Sequence, residues 1–167
     1  NTTFNRNRIG VLIANSSLNI YPQISVFQNN RFTCTSPLNG TTNEYSFAGI
    51  KSKNLNVITS QYAKSNYFYD LHYGIFTEGE ATEISGSIYR MFRIKDEGIV
   101  LCKGKLDISG SLFLNCRINA VHVLKNQTTA IKATTFIIND QIINNNLHTA
   151  IKIDEFLPNS TTNITTS

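Results

Sequence analysis

Charge is scarce in this sequence: Asp, Glu, Lys and Arg make up 16% of its 167 residues, against roughly a quarter in typical soluble domains. Surface polarity therefore falls to Asn, Thr and Ser, a composition shared with extracellular structural and coat proteins. The small basic excess, +4 with a pI near 9.0, is spread along the chain with no block of five or six like charges, which argues against a nucleic-acid footprint. No apolar run reaches 18 residues, so no segment reads as a transmembrane helix. Cys-x-x-Cys spacing is missing, which leaves no zinc motif. His72, His122 and His148 are the only histidines, and none stands at metal-ligand or nucleophile spacing. The Ser-Gly turns at Ser85-Gly86-Ser87 and Ser109-Gly110-Ser111 lack the Gly-x-Ser-x-Gly strand-to-helix setting of hydrolases. With no phosphate-binding Gly loop either, the expectation is a protein that is not an enzyme and carries no cofactor or metal.

A long helical pattern is missing too. Apolar residues recur with a period near two, in runs rich in β-branched and aromatic types, which reads as about ten strands. These are expected near 8–14, 18–27, 45–50, 55–63, 67–77, 84–94, 99–109, 112–118, 129–143 and 149–156. From Cys102 to Ile118, Cys102, Gly104, Leu106, Ile108, Leu112, Leu114, Cys116 and Ile118 share one parity. Folding this stretch about Ser109 gives an antiparallel hairpin with one apolar face. Lys95-Asp96-Glu97-Gly98 and Asn29-Asn30 read as further hairpin turns. Ten short strands in one domain of this size predict an all-β, antiparallel β-sandwich or jelly-roll-like domain over 1–157, followed by a polar Ser/Thr/Asn tail at 158–167. No internal repeat is apparent.

Six Asn-x-Ser/Thr triplets, at Asn1, Asn15, Asn39, Asn126, Asn159 and Asn163, point to a secreted, glycosylated chain at a cell or virion surface. Asn39, Asn126, Asn159 and Asn163 lie where turns or chain ends are expected. The chain opens at Asn1 without Met or leader, which suits a processed chain or a piece of one. In an oxidising compartment the hairpin register would bring Cys102 opposite Cys116 as a cross-strand disulfide and leave Cys34 over; two buried thiols are the alternative.

Two functional readings follow. In the first, Ile9, Val11 and Ile13 alternate on one face of a terminal strand and insert into the open sheet of a neighbour, making a self-assembling structural subunit of a filament, coat or surface layer. In the second, Tyr67, Tyr69 and Tyr73 share a face within the densest aromatic stretch and form the binding surface of a receptor- or glycan-binding ectodomain. Asp70 and His72 share a strand face and read as a solvated pair. The partner is thus itself or a surface receptor or glycan, and an oligonucleotide-binding barrel is disfavoured by the secretory triplets.

Overall fold

The computed structural model of the chain describes residues 2–14, 23–27, 30–54, 56–59, 65–79, 82–87, 89–137 and 149–166. They form fourteen strands: β1 (Thr3–Asn5), β2 (Ile9–Ala14), β3 (Gln23–Phe27), β4 (Arg31–Thr33), β5 (Ala48–Lys53), β6 (Asn56–Thr59) and β7 (Asn66–Tyr69), then β8 (Tyr73–Glu78), β9 (Thr82–Ser87), β10 (Tyr89–Phe92), β11 (Glu97–Ser109), β12 (Leu112–Leu114), β13 (Asn119–Ile137) and β14 (Thr149–Thr166). Every pairing between them is parallel.

The strands make one nearly closed, barrel-like sheet with three faces, and the order of pairing shows that the chain winds. On face A the order is β1-β4-β7-β10-β12 and the end of β13. On face B it is β2-β5-β8 and the first halves of β11, β13 and β14. On face C it is β3-β6-β9 and the later halves of the same three long strands. Each circuit of the three faces is one rung. Six rungs stack about 4.8 Å apart, the arrangement of a parallel β-solenoid.

This overturns the antiparallel sandwich. A period of two tells which side chains point inward, but it is silent on which strand lies alongside. The stretch expected to fold about Ser109 instead runs straight as β11, turns at Gly110 (φ 55°), and enters a different face as β12, which pairs with β10 and β13. Likewise 95–98 is a corner: the Lys95 N–H donates to Leu71 and the Asp96 N–H to His72, both on the rung before. The strands either side of Asn29-Asn30 lie on separate faces, β3 beside β6 and β4 beside β1 and β7. Residues 158–166, expected as a tail, belong to β14, and from Thr161 to Thr166 the strand pairs with β13 beyond a bulge between Phe156 and Thr161.

The core is built of columns, one residue per rung. Phe4, Phe32, Phe68, Met91, Phe113 and Phe136 occupy equivalent places on face A, with Phe4 on Phe32 and Phe32 on Phe68 stacked at 4.9 Å between centroids. Facing them from the start of face B stand Gly10, Gly49, Gly74, Gly98, Ala120 and Ala150, each between pairs that fix its register. The glycines are there for space: a Cβ on Gly49 would lie 2.7 Å from the Phe68 ring, and one on Gly98 2.5 Å from the Ala120 carbonyl oxygen. Val11, Ile50, Ile75, Ile99, Val121 and Ile151 form the next column.

These columns are an internal repeat, against the expectation of none. The aromatic or Met is followed by the small residue after six or seven positions in four rungs (Phe4 to Gly10, Phe68 to Gly74, Met91 to Gly98, Phe113 to Ala120), but after 17 from Phe32 to Gly49 and 14 from Phe136 to Ala150. Insertions at the corner between faces A and B conceal the period.

That corner has its own signature. The residue after β1, β7, β10 and β12 takes a left-handed conformation: Arg6, Asp70, Arg93 and Asn115 have φ between 51° and 58°. Asp and Asn tolerate this well, whereas Arg does so at a cost of roughly 1–2 kcal/mol. Arg93 is held there by a two-pronged ion pair, Nε to Asp70 Oδ1 at 2.9 Å and Nη2 to Oδ2 at 2.7 Å, one rung apart. The pair raises the Arg93 pKa further above its already high value.

Candidate functional groove

The 17-residue step from Phe32 to Gly49 makes room for an excursion at 35–46 between β4 and β5. A tight turn shapes it: the Thr41 N–H and hydroxyl both donate to the Leu38 carbonyl, and Gly40 takes φ 80°. The Leu38 N–H donates to Glu44 O, closing the base. Tyr45 then leans forward over two rungs, with the Lys95 ammonium 3.5 Å from its ring centroid. Insertions of this kind, held on a rigid solenoid, are where such folds carry recognition sites.

Under the excursion opens a groove of about 350 Å³, lined by Arg8, Leu38, Asn43, Glu44, Tyr45, Phe47, His72, Tyr73 and Asp96. Its floor is the A-to-B corner of four successive rungs, tied by backbone bonds from Phe47 N–H to Arg8 O, His72 N–H to Ser46 O, and Asp96 N–H to His72 O. His72 Nδ1 lies 2.7 Å from Asp96 Oδ2, which leaves Nε2 turned away from that bond. Tyr73 meets Phe47 at 5.0 Å with the rings tilted by 54°, and Phe76 at 4.9 Å tilted by 58°. Burial, then the Asp96 and Glu97 charges, raises the Tyr73 hydroxyl pKa and keeps it a hydrogen-bond donor.

Polar groups continue from the groove along face B. Asn119 Nδ2 donates to Glu97 Oε1, and the same oxygen lies 2.8 Å from His122 Nδ1. His122 Nε2 lies 2.8 Å from Asp154 Oδ2, and the Lys152 ammonium 3.0 Å from Asp154 Oδ1. One imidazole thus ties β11, β13 and β14 together. Because its two nitrogens point at different carboxylates, the trio does not converge on one point, and no metal-binding cluster occurs among the described residues.

Hydrogen bonds from His122 and from Lys152 hold the Asp154 carboxyl below the usual range. A depressed folded value means that this contact stabilises above the ordinary carboxylate pKa, near 3.9, and fades as pH falls from there through the folded value. Asp154 is largely exposed, so screening keeps the effect small. Replacing His122 by Gln should therefore make β14 amides exchange faster at neutral pH and remove most of the acid-dependent loosening. Hydrogen exchange of β14 against pH checks this, and an unchanged profile would count against the bridge.

The residues singled out in the sequence separate. Tyr67 and Tyr69 lie on the outer side of face A, 6.1 Å apart and nearly parallel, while Tyr73 belongs to the groove. Tyr69 stacks on Phe92 at 4.8 Å with an 8° tilt, and the Arg31 guanidinium sits over Tyr67 at 5.6 Å. Their ring faces are spent on one another, so face A offers edges and is poorly suited to stacking a sugar. Asp70 and His72 do not pair; each is bound to a residue of the next rung, Arg93 and Asp96. His148 lies outside the described residues.

The three cysteines are free thiols, correcting the expected Cys102–Cys116 bridge. β11 and the segment after β12 occupy different faces, with Cys102 half-buried and Cys116 in the core. Burial pushes the Cys116 thiol up to about 12, which makes it unreactive. Of the triplets, Asn39, Asn159 and Asn163 are exposed. Asn126 is fully buried, its amide donating to Thr161 O and Thr162 Oγ1 and accepting from Thr129 Oγ1, so this fold has no room for a glycan there. Asn1 and Asn15 lie outside the described residues. Ile9, Val11 and Ile13 sit in β2, with Ile13 buried in the chain's own core.

Arg8, Glu44, Tyr45, Phe47 and Asp96 were not legible as site residues from local motifs. Their signal is the broken step between Phe32 and Gly49. No helix among the described residues is long and apolar enough to cross a membrane. The chain matches no family model, no curated protein and no solved structure.

Proposed function

We propose that this chain is an extracellular carbohydrate-binding domain that holds a neutral glycan in the groove under the 35–46 excursion. The observation that carries this reading is the groove's composition. An open cleft of about 350 Å³ combines aromatic walls, Tyr45, Phe47 and Tyr73, with Asp96, Glu44, Asn43, Arg8 and His72. Sugar rings need an apolar surface for their C–H faces and planar acceptors and donors for their hydroxyls, and a few polar groups among aromatic rings supply both. Asp96 and Glu44 accept from hydroxyls and disfavour an acidic sugar, which selects a neutral one.

An extracellular setting is supported by exposed triplets, above all Asn39 beside the turn of the excursion. The test is a glycan array carrying neutral and acidic oligosaccharides, followed by calorimetry on the best neutral hit. Tyr73→Ala and Asp96→Asn should each weaken binding by about tenfold or more, in line with roughly 1–3 kcal/mol for an unpaired polar contact, with the circular dichroism unchanged. Failure of the wild-type chain to bind any neutral glycan, or full affinity in both variants, would sink the reading.

A further inference from the structure

We propose that the 35–46 excursion is a strap buckled at its base by the Cys34 thiol, and that capture of this thiol by a small disulfide holds the strap open and puts the groove out of action. Only the loss of ligand rests on the reading of the groove as a glycan site; the strap and its thiol do not. Cys34 directly follows β4 and is fixed on the solenoid, its N–H donating to the Tyr69 carbonyl of the next rung. Its side chain is fully buried in the core. From there Sγ donates to Ser36 O at 3.2 Å and accepts from the Ser46 N–H at 3.2 Å. One sulfur thus holds the two ends of the excursion together.

A second observation marks the same spot. Ser46 is 2% exposed, and its Oγ is the one buried side-chain polar atom among the described residues without a hydrogen-bond partner. The closed base withholds this hydroxyl from water with no bond in return, and lifting the strap restores its hydration. Farther out, two clasps hold the strap down. Arg6 on the first rung donates to Pro37 O from Nε at 3.1 Å and from Nη2 at 2.8 Å, and the Lys95 ammonium on the fourth sits 3.5 Å from the Tyr45 ring centroid. Both clasps are reached by solvent, Arg6 being exposed and Lys95 half-buried. The strap therefore opens locally while the ladders beneath it stay intact.

A thiol is inert while it stays buried, so its reaction reports the opening. With the strap lifted, the Cys34 thiol loses its proton to solvent and the thiolate attacks one sulfur of the disulfide. The disulfide's S–S bond breaks as the mixed disulfide forms, and the other half leaves as a thiolate. A fully buried position has no space for the adduct, so the strap cannot reseat. A reducing thiol removes the adduct by the same exchange and closes the groove's roof again.

The test is labelling of the folded chain with an aromatic disulfide, dithiobis-nitrobenzoate, in a Cys102→Ser background, with the adduct located by peptide mass. Cys34 should label, whereas Cys116, in the core of the fifth rung, should stay unlabelled until the chain unfolds. Arg6→Ala should speed Cys34 labelling by about tenfold, the effect of losing charge-assisted bonds to one carbonyl. Lys95→Ala should speed it by about two- to fivefold through the lost ring contact. In proton spectra the adduct should abolish the upfield ring-current shift of the Lys95 side chain, and dithiothreitol should bring it back. Cys34 labelling no faster than Cys116, unchanged rates in both clasp variants, or an adduct that leaves the Lys95 shift in place overturns the proposal. All of this is read without ligand, so a chain that behaves as described yet binds no neutral glycan sinks the reading of the groove and leaves the strap standing.

Discussion

Phe68→Ala is expected to destabilise the chain by about 3–5 kcal/mol, the range for removing a buried aromatic from a core. Phe68 is completely buried in the third of six rungs. It stacks on Phe32 at 4.9 Å, meets Tyr89 at 6.5 Å, and has its ring edge over Gly49. The cavity left by the ring cannot close easily, because the rungs above and below are pinned by their backbone ladders. A solenoid's stability is close to a sum of rung and neighbour terms, so a void in a middle rung weakens two interfaces at once. Phe4→Ala, at an outermost rung and half-buried, should cost clearly less. Urea unfolding of both variants measures the difference, and equal losses would mean that the columns do not organise the core as described.

Gly74→Val should be nearly as damaging, for a reason of volume and not of backbone freedom. Gly74 does not adopt a positive φ. A Cβ there would lie 2.6 Å from the Gly98 carbonyl oxygen and 2.7 Å from Met91 Sδ. The sulfur can move, but the carbonyl belongs to the next rung's ladder and cannot. Overpacking of this kind typically costs about 1–3 kcal/mol, sometimes more, and a branched side chain should fall at or above the upper end. The opposite change, Ala120→Gly in the same column, should cost only about 0.5–1 kcal/mol through added freedom of the unfolded chain. Thermal melts of the pair decide the matter: a Val at 74 with the wild-type midpoint would show that the column is not close-packed.

These expectations rest on features that local reading captures unevenly. Some strand positions were legible. The run at 8–14 is β2 and 149–156 opens β14, because alternation and β-branching are properties of neighbours in the chain, whereas 84–94, read as one strand, is β9 and β10 on two faces. The inward parity of Gly104, Leu106 and Ile108 was also correct, since all three are buried, but beyond Gly110 it inverts: Phe113, expected on the polar face, is in the core, while Leu112 and Leu114 are half-buried and Ile118 is exposed. The partner strand was not legible. Leu106 lies between Ile84 and Thr129, each over twenty residues away, and no local pattern distinguishes that from a hairpin about Ser109. The proposed disulfide failed with the hairpin, since both depended on the same register. Asn126 shows the same limit: a triplet is read from three residues, whereas its burial depends on Thr161 and Thr162 arriving from the next rung.

By itself, then, the sequence determined that this chain is all β, where some of its strands begin, and, along 104–108, which side chains face inward. Each of these follows from the alternation of adjacent residues along an extended backbone. Tertiary structure alone decided that the strands run parallel as six stacked rungs, that aromatic and glycine columns face each other across the core, and that 35–46 arches over His72 and Asp96 to make a groove. Those are relations between residues one circuit apart. Circuits of unequal length hide them from any pattern of fixed period, and they appear only when backbone hydrogen bonds between rungs set the register.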